Sequence, residues 1–265
     1  MIDLHTHLAP AVDDGARDLR MATAVLAGFA AQGVTAVTCT PHARASAVSR
    51  NALDADRVRA AFDALTAAAP DGLTLHLGRE VMLDEPGVDL AGHPGVRLGA
   101  APAVLVEFPH GPAPVAAERE LARIRASGLL PVLAHPERHP GTTVAHVAAW
   151  RAAGAAVQVD ATTLAAPSAR GALARALVAA GLADLLASDN HGDRRSLAVA
   201  RDWLVARGAT ALADLLTRDN PARVLAGAPL LPPPPHPTLA RPAGGFSAWL
   251  RARLGRAGAR VPVSS

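Results

Sequence analysis

Met1-Ile2-Asp3-Leu4-His5-Thr6-His7 opens the chain and decides how the rest is read. Residues 2–5 are apolar enough for a short strand, and on a strand positions two apart share a face. His5 and His7 therefore present two imidazoles on one side of a strand end, a chelate for a divalent cation. Among 11 histidines such a pair arises easily by chance. Its weight comes from later strand-like runs, which end in His42, Glu80, Glu107, His135 and Asp189-Asn190-His191, again ligand types.

Working outward, the hydrophobic period alternates between strand and helix. Strands are expected at 2–5, 34–40, 73–81, 104–108, 131–135, 156–160 and 182–188. Helices are expected at 18–31, with Gly33 as its C-terminal stop, and at 54–69, with Asp54 as N-cap. Further helices are expected at 116–127, 144–153, 170–180, 196–207 and 211–216. Asn220 would cap a last short turn begun by Pro221. This alternation predicts a parallel sheet with helices outside it, and about seven units suit a closed α/β barrel. The active site of such a barrel lies at the C-terminal ends of its strands, where every ligand-type residue named above falls.

Residues 1–227 would form this barrel. From 228 a Pro-rich stretch (Leu231-Pro232-Pro233-Pro234-Pro235) reads as a polyproline linker. Beyond it a basic tail carries Phe246, Trp249, Leu250 and Leu254 among arginines. It is read as disordered, with a basic amphipathic helix that docks on a membrane surface or a partner as the minority reading.

All 26 basic residues are Arg, so a catalytic lysine is excluded. Five of them lie in the tail, while all 23 acidic residues precede residue 228, so the barrel itself is slightly acidic. With aromatics at 3%, that argues against a nucleic-acid partner. A single cysteine, Cys39, excludes an internal disulfide. No signal-like segment or apolar run of membrane-spanning length is apparent, so a cytoplasmic protein is expected.

Glu107 sits in Val104-Leu105-Val106-Glu107-Phe108, where burying an unpaired charge costs several kcal/mol, so ligation is favoured. Asp13-Asp14-Gly15 reads as a turn from which one carboxylate could face a metal. So many mixed imidazole and carboxylate groups suit two or three ions such as Mn²⁺, Fe or Zn²⁺. Paired metals of this kind serve phosphoester hydrolysis, and an adjacent Arg suits phosphate capture. Arg138 is the first candidate, with Arg194 or Arg195 after it. His76, His93, His110, His139, His146 and His236 read as surface or structural residues.

With these motifs, joined by Thr40-Pro41-His42, Gly78-Arg79-Glu80, His135-Pro136-Glu137-Arg138 and Asp219-Asn220-Pro221, the chain resembles the polymerase-and-histidinol-phosphatase (PHP) superfamily. Within it, the chain is most similar to the bacterial protein-tyrosine phosphatases of capsular and exopolysaccharide biosynthesis. The resemblance implies a distorted (β/α)₇ barrel and a trinuclear, commonly manganese, site. It places His5, His7, Glu80 and Asp189 on one metal, Glu80, Glu107 and His135 around a second, and Asp14, His42 and His191 on a third. It also implies attack on phosphorus by a metal-bound hydroxide, with Arg138 and Arg195 as catalytic arginines. The substrate would be the phosphotyrosine tail of a tyrosine autokinase. The alternatives are a phosphatase for a small phosphate ester such as histidinol phosphate, or a metal-bound regulatory module. The segment after His42 departs from the family pattern.

Overall fold

The walls of the molecule are short strands rich in Val, Leu, Ala and Thr, largely apolar runs that fit a sheet covered on both faces. The computed structural model describes residues 1–240. Its strands are β1 (Ile2–Thr6), β2 (Ala36–Cys39), β3 (His42–Arg44), β4 (Thr74–Leu77), β5 (Glu80–Met82), β6 (Ala103–Glu107), β7 (Leu130–Ala134), β8 (Ala156–Asp160) and β9 (Leu185–Ala187). They form two ladders, β1-β2-β4 and β3-β5-β6-β7-β8-β9, with every pair parallel.

Two seams join the ladders into a distorted (β/α)₇ barrel. At the first, the segment after β9 pairs with the end of β1: Asp189 N–H donates to His5 O at 3.0 Å and His7 N–H to Asn190 O at 2.7 Å. Asp3 also accepts from Ser188 N at 3.1 Å. The second seam arises because two strand positions are each broken in the middle. β2 and β3 are interrupted at Thr40-Pro41, where proline offers no N–H to a ladder. β4 and β5 are interrupted at Gly78-Arg79. A Cβ on Gly78 would lie 2.9 Å from Leu98 Cδ2 and 3.1 Å from Arg97 O, so the bend needs glycine. The nine segments therefore occupy seven positions around the ring. The distortion is local: β4 does not reach β6, and residues 97–99 bridge them through Leu98 N–H to Ala103 O (2.9 Å) and Gly99 N–H to Leu77 O (2.8 Å).

Alternate residues of β6, β7 and β8 divide between two apolar clusters. Val104, Val106, Leu133, Val157 and Val159 pack with Leu121, Ile124, Val147 and Leu177 of the helices. Ala103, Leu105, Val132, Ala134 and Ala156 join Leu98 and Leu185 in the other. On this second row the apolar residues are followed, toward the C-terminal ends, by buried Glu107, Gln158 and Asp160. The sheet thus delivers polar groups to one end by its period of two.

The helix Leu19–Ala31 begins as expected, with Asp18 Oδ1 accepting from Met21 N at 2.7 Å, and ends before Gly33 at φ +82°. Several expectations need correction. The single strand expected at 73–81 is two strands, and the strand expected at 34–40 is followed by a second, His42–Arg44, that was not foreseen. The helices Ala45–Ser49 and Ala161–Ala165 were not foreseen, being too short to show a period. Asp54 occupies an N-cap position but its side chain makes no capping bond. Asn220 caps nothing, because helical backbone runs through it from a wide turn at Leu215–Asp219 into Asn220–Leu225. Instead its buried amide donates to Asp184 O and Leu231 O and accepts from Leu231 N, each at 2.9 Å.

This clamp holds the Pro-rich stretch against the barrel. His236 N–H donates to Ala179 O at 2.8 Å, and Leu239 is buried. The expected basic amphipathic segment at 246–256 lies outside the described residues. No helix among the described residues is long and apolar enough to cross a membrane.

Asn220→Ala removes the side-chain partner of one buried and two part-buried backbone groups and should cost about 1–3 kcal/mol. Urea unfolding would show this as a lower midpoint with an unchanged slope. An unchanged midpoint would mean the clamp contributes nothing.

Candidate metal centre

His5 and His7 leave the end of β1 fully buried, with their Nε2 atoms 3.2 Å apart. Each ring is held from behind: His5 Nδ1 lies 2.9 Å from Gln158 Oε1 and His7 Nδ1 lies 2.7 Å from Asp13 Oδ2. These acceptors place a proton on Nδ1 and turn the Nε2 lone pair forward, the orientation a ligating histidine needs. In front of His5 Nε2 lie Glu80 Oε2 and Asp189 Oδ1, both at 3.2 Å. His7 Nε2 faces the same two oxygens at 3.2 and 3.4 Å.

Glu80 begins β5 and is shared widely. Its Oε2 is 3.1 Å from His42 Nδ1, and its Oε1 is 2.8 Å from His135 Nε2. Glu107, at the end of β6, lies 3.7 Å from His42 Nδ1. Asp14 Oδ1 is 3.4 Å from His42 Nε2 and 3.5 Å from His191 Nε2. Three groups of ligand atoms are compact enough to hold an ion: His7, Asp14, His42 and His191; His5, His7 and Glu80; and His42, Glu80 and Glu107. The groups overlap one another. His7 also faces the Asp14 group, His42 also faces Glu107, and His135 reaches the cluster through Glu80.

Burial and mutual repulsion set the electrostatics. Burial disfavours charge on Glu80, yet His5, His135 and His42 outweigh it and hold the carboxyl well below its usual range. At Glu107 the balance runs the other way: burial and the Glu80 charge outweigh His42, His5 and His7 and push it up to about 7. Burial also opposes charge on His5, but Glu80 and Asp189 raise that imidazole to about 9. Glu107 Oε1 and His135 Nδ1 are buried with no hydrogen-bond partner. Clustered carboxylates, forward-facing imidazoles and unpartnered buried acceptors all fit a divalent-cation site.

Two of these residues are strained. His135 and Asp189 have φ of +31° and +49°, left-handed values that cost a non-glycine residue about 1–3 kcal/mol. His135 directly follows β7, and Asp189 comes two residues after β9.

The groups open into a cleft of about 660 Å³ lined by Asp14, His42, Glu80, Glu107, His135, Asp189 and His191. Arg138 lines it too, paired with both Asp160 and Asp189. Arg195 Nη1 lies 3.1 Å from Asp189 Oδ2, the oxygen that Arg138 also pairs with, and with Arg194 it borders a neighbouring depression beside the helix Leu19–Ala31. His110 and His139, read as surface or structural, also line the cleft, as do Arg44 and Arg170, which were not foreseen. Gln158 and Asp160 were missed as well. Their signal was the one that singled out Glu107, a polar side chain in an apolar strand.

The comparisons with known proteins follow this geometry. The family described as capsular polysaccharide synthesis, CpsB/CapC, matches residues 1–226. The chain belongs to that family. It is 34% identical over 143 residues to the tyrosine-protein phosphatase YwqE of Bacillus subtilis. That match takes in 52% of this chain and 55% of YwqE, so the chain spans about half the length of the curated relatives it matches. A solved structure from work on YwqE of B. subtilis and CpsB of Streptococcus pneumoniae, described as metal-dependent tyrosine phosphatases, superposes with a TM-score of 0.74. It shares 25% identity over 89% of this chain and 99% of its own. A mutant organophosphorus hydrolase from Deinococcus radiodurans shares the fold alone, with a TM-score of 0.52, 15% identity and coverage of 84% and 92%.

Asp3 yields a test of the buried electrostatics. Burial raises its carboxyl from the ordinary 3.8 to about 6. The folded state therefore favours the protonated form, and the associated stability is complete below about pH 4 and lost as pH rises through 6. Asp3→Asn removes this dependence. In metal-free urea titrations the variant should gain on wild type by about 1–3 kcal/mol between pH 4 and 7. A difference that stays constant across that range would contradict the assignment.

Proposed function

We propose that the chain is a metal-dependent phosphomonoesterase that removes phosphate from tyrosine in proteins. The observation that carries the reading is the set of three overlapping ligand groups, joined through His7, His42 and Glu80, at the floor of an open cleft beside Arg138. Membership of the capsule-synthesis family and likeness to named tyrosine phosphatases support the same reading.

His5, His7, Glu80 and Asp189 would hold one ion, with Glu107, His135 and His42 completing a second position and Asp14, His42 and His191 a third. Manganese is the first choice, with iron or zinc as alternatives. Bound there, such ions would supply Lewis-acid chemistry, activating water and neutralising phosphoryl charge. The chain's own residues do the rest. Gln158 and Asp13 keep His5 and His7 in the ligating orientation. Arg138 offers a planar pair of donors to the phosphoryl oxygens and favours the charge that develops on them. At about 660 Å³ the cleft has the volume to take an aryl phosphate. Cys39 takes no part: it is fully buried and its thiol is pushed up to about 12, so no thiolate nucleophile is available. The substrate proposed is the phosphorylated tail of a tyrosine autokinase that governs polysaccharide assembly.

Phosphate release from a tyrosine-phosphorylated peptide, with Mn²⁺ and with chelator, tests this. Release should require metal, vanish in His5→Ala, and fall on the order of 100-fold or more in Arg138→Ala. No release from the metal-loaded protein, alongside turnover of a small phosphate ester, would replace the protein substrate with a metabolite.

A further inference from the structure

Arg138 is gripped by two carboxylates of different standing. Asp189 faces His5 and His7 and belongs to the metal centre. Asp160 belongs to none of the three ligand groups found among the described residues. It is buried at the end of β8, and each of its polar groups has one task. Oδ2 accepts from Arg138 Nη2, and Oδ1 accepts from Thr163 N at 2.8 Å. Its own N–H donates to Glu137 Oε1 at 2.8 Å. Glu137 precedes Arg138 on the short turn Pro136–Arg138 that leaves β7, and it is itself buried. Asp160 is therefore joined to Arg138 twice, through the guanidinium and through the turn that carries it.

We propose that Asp160, backed by Glu137, is the positioning residue that holds the Arg138 guanidinium at the phosphate site of the cleft. The proposal rests on the reading of Arg138 as a phosphate-binding group. A buried ion pair adds little net stability over an apolar filling of the same volume, so its value here lies in geometry. Without Asp160, the remaining carboxylate partner of Arg138 is Asp189. The guanidinium would then fall toward the metal centre, withdrawing a donor from substrate. Displacing a positioned group by about 1 Å costs on the order of 100-fold in rate.

The test is a double-mutant cycle on the Mn²⁺-loaded protein with Asp160→Asn, Arg138→Ala and the pair together. Asparagine keeps the volume and the acceptor for Thr163 N, so the single variant should retain the wild-type melting curve and metal content. The first readout is the affinity for inorganic phosphate, measurable whether or not any ester is turned over. The second is kcat and KM on a phosphotyrosine peptide. Asp160→Asn should weaken phosphate binding and lower kcat/KM on the order of 10- to 100-fold, and should add nothing in the Arg138→Ala background. Phosphate binding equal to wild type would overturn the proposal. So would a loss that adds in full to that of Arg138→Ala, or one matched by loss of metal. If wild type turns over no ester while the cycle in phosphate affinity stays non-additive, the proposed activity fails and the positioning role stands.

Discussion

Glu80 is a buried carboxylate within 3.2 Å of imidazoles from His5, His7, His42 and His135, which arrive from three different strand positions. A carboxylate taken out of water costs several kcal/mol unless it is closely paired. The barrel has to bring the ends of β1, β3, β5 and β7 to one point, and its departures from regularity serve that convergence. The break at Gly78 separates β4 from β5 so that Glu80 can start a strand of its own beside β3 and β6. The closing seam between β1 and the chain after β9 brings Asp189 to the two leading histidines. The left-handed backbone at His135 and Asp189 is strain at the two strand exits where ligand-type side chains turn into the cluster.

The same charge balance explains what such a site would do with a cation. Glu80, Glu107, Asp189 and Asp14 gather on one floor, and His5, His7 and His42 rise in proton affinity to offset them. Protons on imidazoles and divalent ions answer the same excess of negative charge. Glu107 reads out the imbalance, since burial and Glu80 together push it up to about 7. A cation placed there would reverse that pressure.

Much of this was legible from residue spacing. The i, i+2 pair His5 and His7 and the lone charge of Glu107 in an apolar run pointed to the floor of the cleft without any structure. The strand breaks were hidden because Pro41 and Gly78 read equally well as ends or as interruptions. Only pairing shows that β2 and β3 serve different neighbours. Asn220 misled for a related reason: a cap is defined by non-helical backbone before it, and here the preceding turn is helical. The overlap of the ligand groups was not legible in spacing, since His7 and His42 each face two of them. Arg195, which follows His191 closely in sequence, meets the same Asp189 oxygen as Arg138.

The central claim is that Glu80 joins separate metal positions. Metal content of the chain after Mn²⁺ saturation and removal of free ion, for wild type and Glu80→Gln, tests it most directly. The account predicts more than one ion per wild-type chain and a clear fall in the variant, with the melting curve in chelator retained. At most one ion in wild type, or the same content in both proteins, would contradict it.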